Sequence, residues 1–181
     1  MARTASVVMG LFAGFLLDTD QDIQGEVDTE VDPTGPTAIN TAVATLALDS
    51  GINLAPIPPA YVVTQNMAIE IWERASVVKY PLIQVYSDRV RNLLTEKFRT
   101  FSGKIRTVAE VRVSQDRIEG LEDQLRLYVD AVTQILDANR GNWGQGAFYT
   151  GGYEVTFDPV KQGGKNFLQV AKVTFEVDMS S

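Results

Sequence analysis

Between Lys104 and Val113 the chain alternates with a period of two. Ile105, Thr107, Ala109, Val111 and Val113 fall on one side, and Lys104, Arg106, Val108, Glu110 and Arg112 on the other. That pattern predicts a half-buried strand with a solvated, basic-leaning face. The period then changes. Ile118, Leu121, Leu125, Tyr128, Val132, Ile135 and Leu136 recur at helical spacing and predict the strongest helix of the sequence. Asp116 and Glu119 read as a capping box at its start, and Asn139-Arg140-Gly141 as a left-handed stop at its end. Upstream, residues 80–86 read as a short strand with Pro81 at its start or edge. Ser87 and Asp88 then read as caps of a helix over 88–99, carried by Val90, Leu93, Leu94 and Phe98. Downstream, Tyr153, Val155 and Phe157 alternate with Glu154, Thr156 and Asp158. A connection containing Gly163-Gly164 leads to a return strand with Phe167, Gln169, Ala171, Val173, Phe175 and Val177 on one face. Strand, helix, strand, long helix and hairpin suit an α+β fold: a mostly antiparallel sheet with helices packed on one face. No internal repeat is visible.

The first third of the chain reads differently. Val7 to Leu17 is an apolar run of 11 residues, flanked by Arg3 and Asp18. It is too short to span a bilayer and lacks a small-x-small cleavage site. The reading adopted is a helix that packs on its own domain or on a neighbouring subunit. The formal net charge is −7, and residues 1–60 hold all of it: one basic residue, Arg3, against eight acidic ones. From 61 onward, 15 basic and 15 acidic residues cancel. Five of the seven prolines also lie before residue 60, and 33–60 shows no strong periodicity. The division expected is therefore 1–60, an acidic, proline-containing N-terminal helix and arm, and 61–181, a compact domain.

Composition narrows the chemistry. The 181 residues include no Cys and no His. Disulfides, thiolate nucleophiles, imidazole ligands and Ser-His-Asp triads are thereby excluded. The acidic balance argues against a general nucleic-acid binder, which needs a surplus of Lys and Arg. The acidic run from Asp18 to Asp32 begins like a calcium loop. Ile23 stands where that loop needs Gly and Thr29 where it needs Glu, so it reads as a solvated acidic segment and no metal is expected. The glycines from 141 to 152 follow a helix and precede a strand, the reverse of a phosphate-binding loop, and no Lys closes them. They read as a helix exit and mobile loop, whose Trp143, Phe148 and Tyr149 either fold back on the core or dock into a partner. Glu122-Asp123 and Asp130 read as the solvated face of the long helix rather than a carboxylate pair for hydrolysis. Arg89, Arg91, Lys97, Arg99, Lys104, Arg106 and Arg112 form a locally positive stretch suited to an acidic partner surface. Neither an enzyme nor a cofactor is expected.

Several phrases carry a family resemblance. They are Tyr80-Pro-Leu-Ile-Gln-Val-Tyr-Ser-Asp88, the strand from Phe101 to Ser114, the helix Leu121-Glu-Asp-Gln-Leu-Arg-Leu-Tyr-Val-Asp-Ala-Val132, and the closing hairpin with Gly-Gly at its turn. Together, over roughly residues 80–177, they resemble tail terminators and related neck proteins of tailed bacteriophages. The resemblance implies a non-enzymatic virion protein, made in the host cytoplasm, that forms a homo-oligomeric ring, usually a hexamer. Such a ring caps the tail tube and meets the connector below the capsid, while DNA passes through its channel without sequence-specific binding. Another head–tail connector, completion or tube-associated protein is the neighbouring alternative, and a small carboxylate-dependent hydrolase the distant one. Candidate contacts between subunits or with partners are Leu11, Phe12, Phe15, Arg89, Arg91, Arg106, Arg112, Trp143, Phe148 and Tyr149. The acids Asp18, Asp20, Asp22, Glu26, Asp28, Glu30 and Asp32 either face the channel or clasp the basic stretch of a neighbour. No membrane partner is implied.

Overall fold

The computed structural model describes residues 2–18, 37–65, 80–94, 100–163 and 165–181. The fold is α+β. Its elements in chain order are helices α1 (Ala2–Leu17) and α2 (Ala38–Ser50), strands β1 (Val62–Val63), β2 (Leu82–Asn92) and β3 (Ser102–Gln115), and helix α3 (Leu121–Ala138). Strands β4 (Gly141–Gly144), β5 (Ala147–Tyr149), β6 (Tyr153–Phe157), β7 (Lys161–Gly163) and β8 (Asn166–Ser180) follow. The eight strands form one sheet in the order β1-β2-β3-β8-β5-β4, with β6 and β7 also paired to β8. Among the described residues only β1 and β2 pair in parallel.

Three long strands carry the sheet: β2 with 11 residues, β3 with 14 and β8 with 15. Their register sorts side chains onto two faces. Ile83 stands opposite Val111, and Val111 opposite Ala171; Val85, Ala109 and Val173 follow in the next rung on that face. The helices pack there. Leu121, Leu125, Tyr128, Val132, Ile135 and Leu136 of α3 are buried against it, as the helical stripe predicted. Ile118 is not part of that stripe: it lies before the helix and is 51% exposed. Gly120, with φ of 75°, occupies the N-cap without any side-chain cap, so Asp116 and Glu119 form no capping box. At the other end Asn139 has φ of −104° rather than a left-handed conformation, and its Nδ2 donates to the Ile135 carbonyl.

The expected helix over 88–99 is replaced by strand. β2 runs on to Asn92 and pairs with β3, with a bulge between Ser87 and Arg89. Of the residues that carried the helix expectation, Val90 lies within β2, opposite Ile105, whereas Leu93 and Leu94 follow the strand's end at Asn92, so their spacing belongs to no single element. Residues 95–99, including Lys97, Phe98 and Arg99, lie outside the described residues.

Nor does residue 60 divide the chain into arm and domain. Val8, Phe12 and Leu16 of α1, Ile39 and Val43 of α2, and Leu54 and Ile57 belong to the same buried cluster as the sheet and α3. The Thr37 hydroxyl caps α2 by accepting from the Asn40 amide, and Gly51 ends the helix in the left-handed region. The proline-containing stretch after α2 is pinned from both sides. Asn40 accepts from the Ile57 amide at 2.7 Å and donates to its carbonyl at 3.0 Å, and the Tyr128 hydroxyl donates to the Ala55 carbonyl at 2.7 Å. The charge boundary near residue 60 is therefore not a packing boundary. Net charge concerns solubility and association rather than fold, whereas the apolar residues of α1 and α2 have a place in the core.

Candidate interaction surfaces

The glycine-rich segment after α3 is ordered as a hairpin, not a mobile loop. β4 and β5 turn through Gln145 and Gly146, both at positive φ, and β5 joins β8 through Ala147–Met179 and Phe148–Asp178. Strand alternation then separates its aromatics. Trp143 and Tyr149 point inward among Phe12, Phe15 and Phe175, with Phe12 and Phe175 ring centroids 4.9 Å apart and Phe15 5.2 Å from Trp143. The Trp143 Nε1–H donates to the Asn139 carbonyl at 2.5 Å. Phe12, Trp143 and Tyr149 thus lie within the core of their own chain and are not available to a partner; Phe148, at 47% exposure, is. Leu11 and Phe15 are half-buried, packed against the same core.

The face of the sheet away from the helices changes along its length. At one end its charges are set beside opposite charges. Arg106 grips Asp88 at the bulge through Nε at 2.7 Å and Nη2 at 2.5 Å. Lys104 lies 3.6 Å from Glu176 and 3.3 Å from Asp178, and Lys172 lies 3.5 Å from Asp158. Arg89 and Arg91 are exposed beside Arg106 and Lys104 in the register, with no ion pair among the described residues. At the other end the strand face expected to be solvated is buried: Val108, Glu110 and Arg112 are all under 10% exposed. Arg112 donates through Nε to Glu110 at 2.6 Å, and the Tyr86 hydroxyl donates to the second Glu110 oxygen at 3.0 Å. A buried charge is tolerable only when paired and hydrogen-bonded in this way. Burial, with the Glu110 carboxylate beside it, pushes the Tyr86 hydroxyl pKa well above its ordinary value. Arg112 is consequently a structural residue rather than a contact, while Arg89 and Arg91 are surface residues.

Of the acidic residues, Asp18 is exposed at the end of α1, where its carbonyl accepts from the Ala38 amide and ties α1 to α2. Asp20, Asp22, Glu26, Asp28, Glu30 and Asp32 lie outside the described residues. Two surface features escaped the sequence reading. Tyr153 and Phe157 are 40% and 43% exposed on β6, and Leu93 and Leu94 are exposed where β2 ends. Alternation placed Tyr153 and Phe157 on the correct face of their strand, but only the sheet order reveals that β6 is an outer strand. Leu93 borders a cleft of about 390 Å³ together with Phe148 and Met179.

Among the described residues no group of three or more acidic side chains is placed to hold a metal ion, and no helix is long and apolar enough to cross a membrane. Neither a protein-family model nor a curated protein sequence matches the chain.

Proposed function

We propose that this protein is a structural virion component of a tailed phage: a ring subunit at the head–tail junction, of tail-terminator type, which caps the tail tube and joins it to the connector. The observation that carries the reading is the charge balance of the helix-free face. Arg89, Arg91, Lys104, Arg106 and Lys172 are matched in number there by Asp88, Glu154, Asp158, Glu176 and Asp178. Each phosphate neutralised by a free cation adds affinity. A wall whose charges balance, and on which Lys104, Arg106 and Lys172 stand beside carboxylates, holds passing DNA only weakly. The exposed end of this face, shared by β2, β3, β8 and β6, supplies the surface for such a wall. The family resemblance of residues 80–177 agrees with this use.

The test is the protein's position in the particle. Antibody labelling and imaging of purified virions should place it at the neck; a location elsewhere overturns the reading. The purified protein should also show no stable retention of duplex DNA at physiological salt.

A further inference from the structure

Strands β2, β3, β8 and β6 alternate direction at every step, and the two outer members both present an edge. Among the described residues, nothing pairs with β2 beyond Gln84, where β1 ends, and nothing pairs with the far side of β6. An open edge is a row of unpaired N–H and C=O groups ready to accept another strand. These two edges differ in a complementary way on both faces. On the helix-free face β2 carries Arg89 and Arg91, whereas β6 carries Glu154. On the helix side β2 carries half-buried Val90, opposite Ile105, and β6 carries Val155 between the exposed rings of Tyr153 and Phe157.

We propose that the edge of β2 in one copy pairs antiparallel with the edge of β6 in the next copy, which rests on the ring reading above and specifies its interface. Pairing would set Arg89 and Arg91 beside Glu154 on one face and Val90 beside the β6 apolar residues on the other. Opposite charges and aromatic or β-branched side chains are favourable cross-strand neighbours. Pairing β2 with β2 would instead oppose arginine to arginine, and pairing β6 with β6 would leave the arginines unmatched. Direction gives the same answer. With four alternating strands per copy, β2 and β6 run oppositely, so a copy rotated into the next position meets its neighbour antiparallel without being inverted. Each copy uses two different edges, the head-to-tail arrangement that closes into a ring when the rotation permits.

The chain contains no Cys, so introduced thiols report without background. The double variant V90C/V155C, treated with a short bis-maleimide, should give a covalent ladder up to the ring size. A mixture of the two single variants should stop at dimers, and V90C alone should not crosslink to itself. Self-crosslinking of V90C overturns the proposal, as does a ladder missing from protein that light scattering shows to be assembled. In the latter case the ring reading stands and only this interface fails. Monomeric protein without a ladder also overturns the pairing, leaving the neck location to be judged by imaging. Charge variants at exposed positions guard against misfolding of the thiol variants, with folding checked by circular dichroism. R89E/R91E should raise the concentration needed for assembly at least about threefold at low salt. Adding E154K to the same chain should restore it. Unchanged assembly of R89E/R91E, or no restoration by E154K, overturns the pairing.

Discussion

The two faces of the β2–β3–β8 sheet are built from alternate residues of the same strands, yet they are stabilised differently. The helix side is close-packed. Ile83, Ile105, Ala109, Val111, Ala171, Val173 and Val177 are fully buried there, with α1 and α3 packed on the strands and α2 on those helices. The opposite face has a polar buried end, where Glu110 holds Tyr86 and Arg112, and an exposed end of ion pairs. Apolar burial stabilises in proportion to area, whereas exposed ion pairs are screened and contribute little. The packed face therefore determines whether the chain folds, and the charged face is free to serve contact with other molecules.

Phe12→Ala should show the largest loss. It removes a fully buried ring that touches Phe175 and Trp143, and should cost about 3–5 kcal/mol in urea unfolding. A near-zero cost would mean that α1 is an arm after all. Glu110→Ala tests whether the charged face is uniformly tolerant. Tyr86 and Arg112 each lose a partner within a buried cluster, and the loss expected in thermal unfolding is about 3 kcal/mol. Tyr128→Phe should cost about 1 kcal/mol by removing the hydrogen bond to Ala55.

Tyrosines also set an alkaline limit. Burial pushes Tyr128 and Tyr149 up to about 12, with the Asp137 charge adding to the effect at Tyr149. In the unfolded chain a tyrosine ionises near its ordinary value of about 10. The stabilisation is thus complete below about pH 10 and is lost as pH rises toward 12. A pH series of unfolding midpoints should fall across that window, less steeply in Tyr128→Phe. The smallest effect belongs to Asp88→Asn. It weakens the partly exposed pair with Arg106 and should change stability by less than about 1 kcal/mol at physiological salt. A larger loss would show that the bulge depends on that carboxylate.

Legibility in the sequence followed length and regularity. The strand over 104–113, the buried stripe of α3 and the inward residues of β8 could be read because many consecutive positions repeat one period. Helix α2 carried its own signals, Thr37 at the start and Gly51 at the end, but its many alanines and threonines blur the apolar stripe. In β2 the cap residue types Ser87 and Asp88 and the spacing of Val90, Leu93 and Leu94 read as a helix, although the two leucines lie past the strand's end at Asn92. Short strands β4 and β5 hold too few residues to show a period, so Trp143, Phe148 and Tyr149 could not be sorted into core and surface.

By itself, the sequence determined the α+β class, the stripe of α3, the exclusion of thiol and imidazole chemistry, and the placement of the whole net charge before residue 61. These are properties of composition and local repeat. Only the tertiary structure decided that α1 and α2 complete the core, that Arg112 is buried with Glu110, and that, among the described residues, β2 beyond Gln84 and the far side of β6 are left unpaired. Each of these depends on which distant segments meet. A local period reports which side of an element is apolar, but not which neighbour covers it.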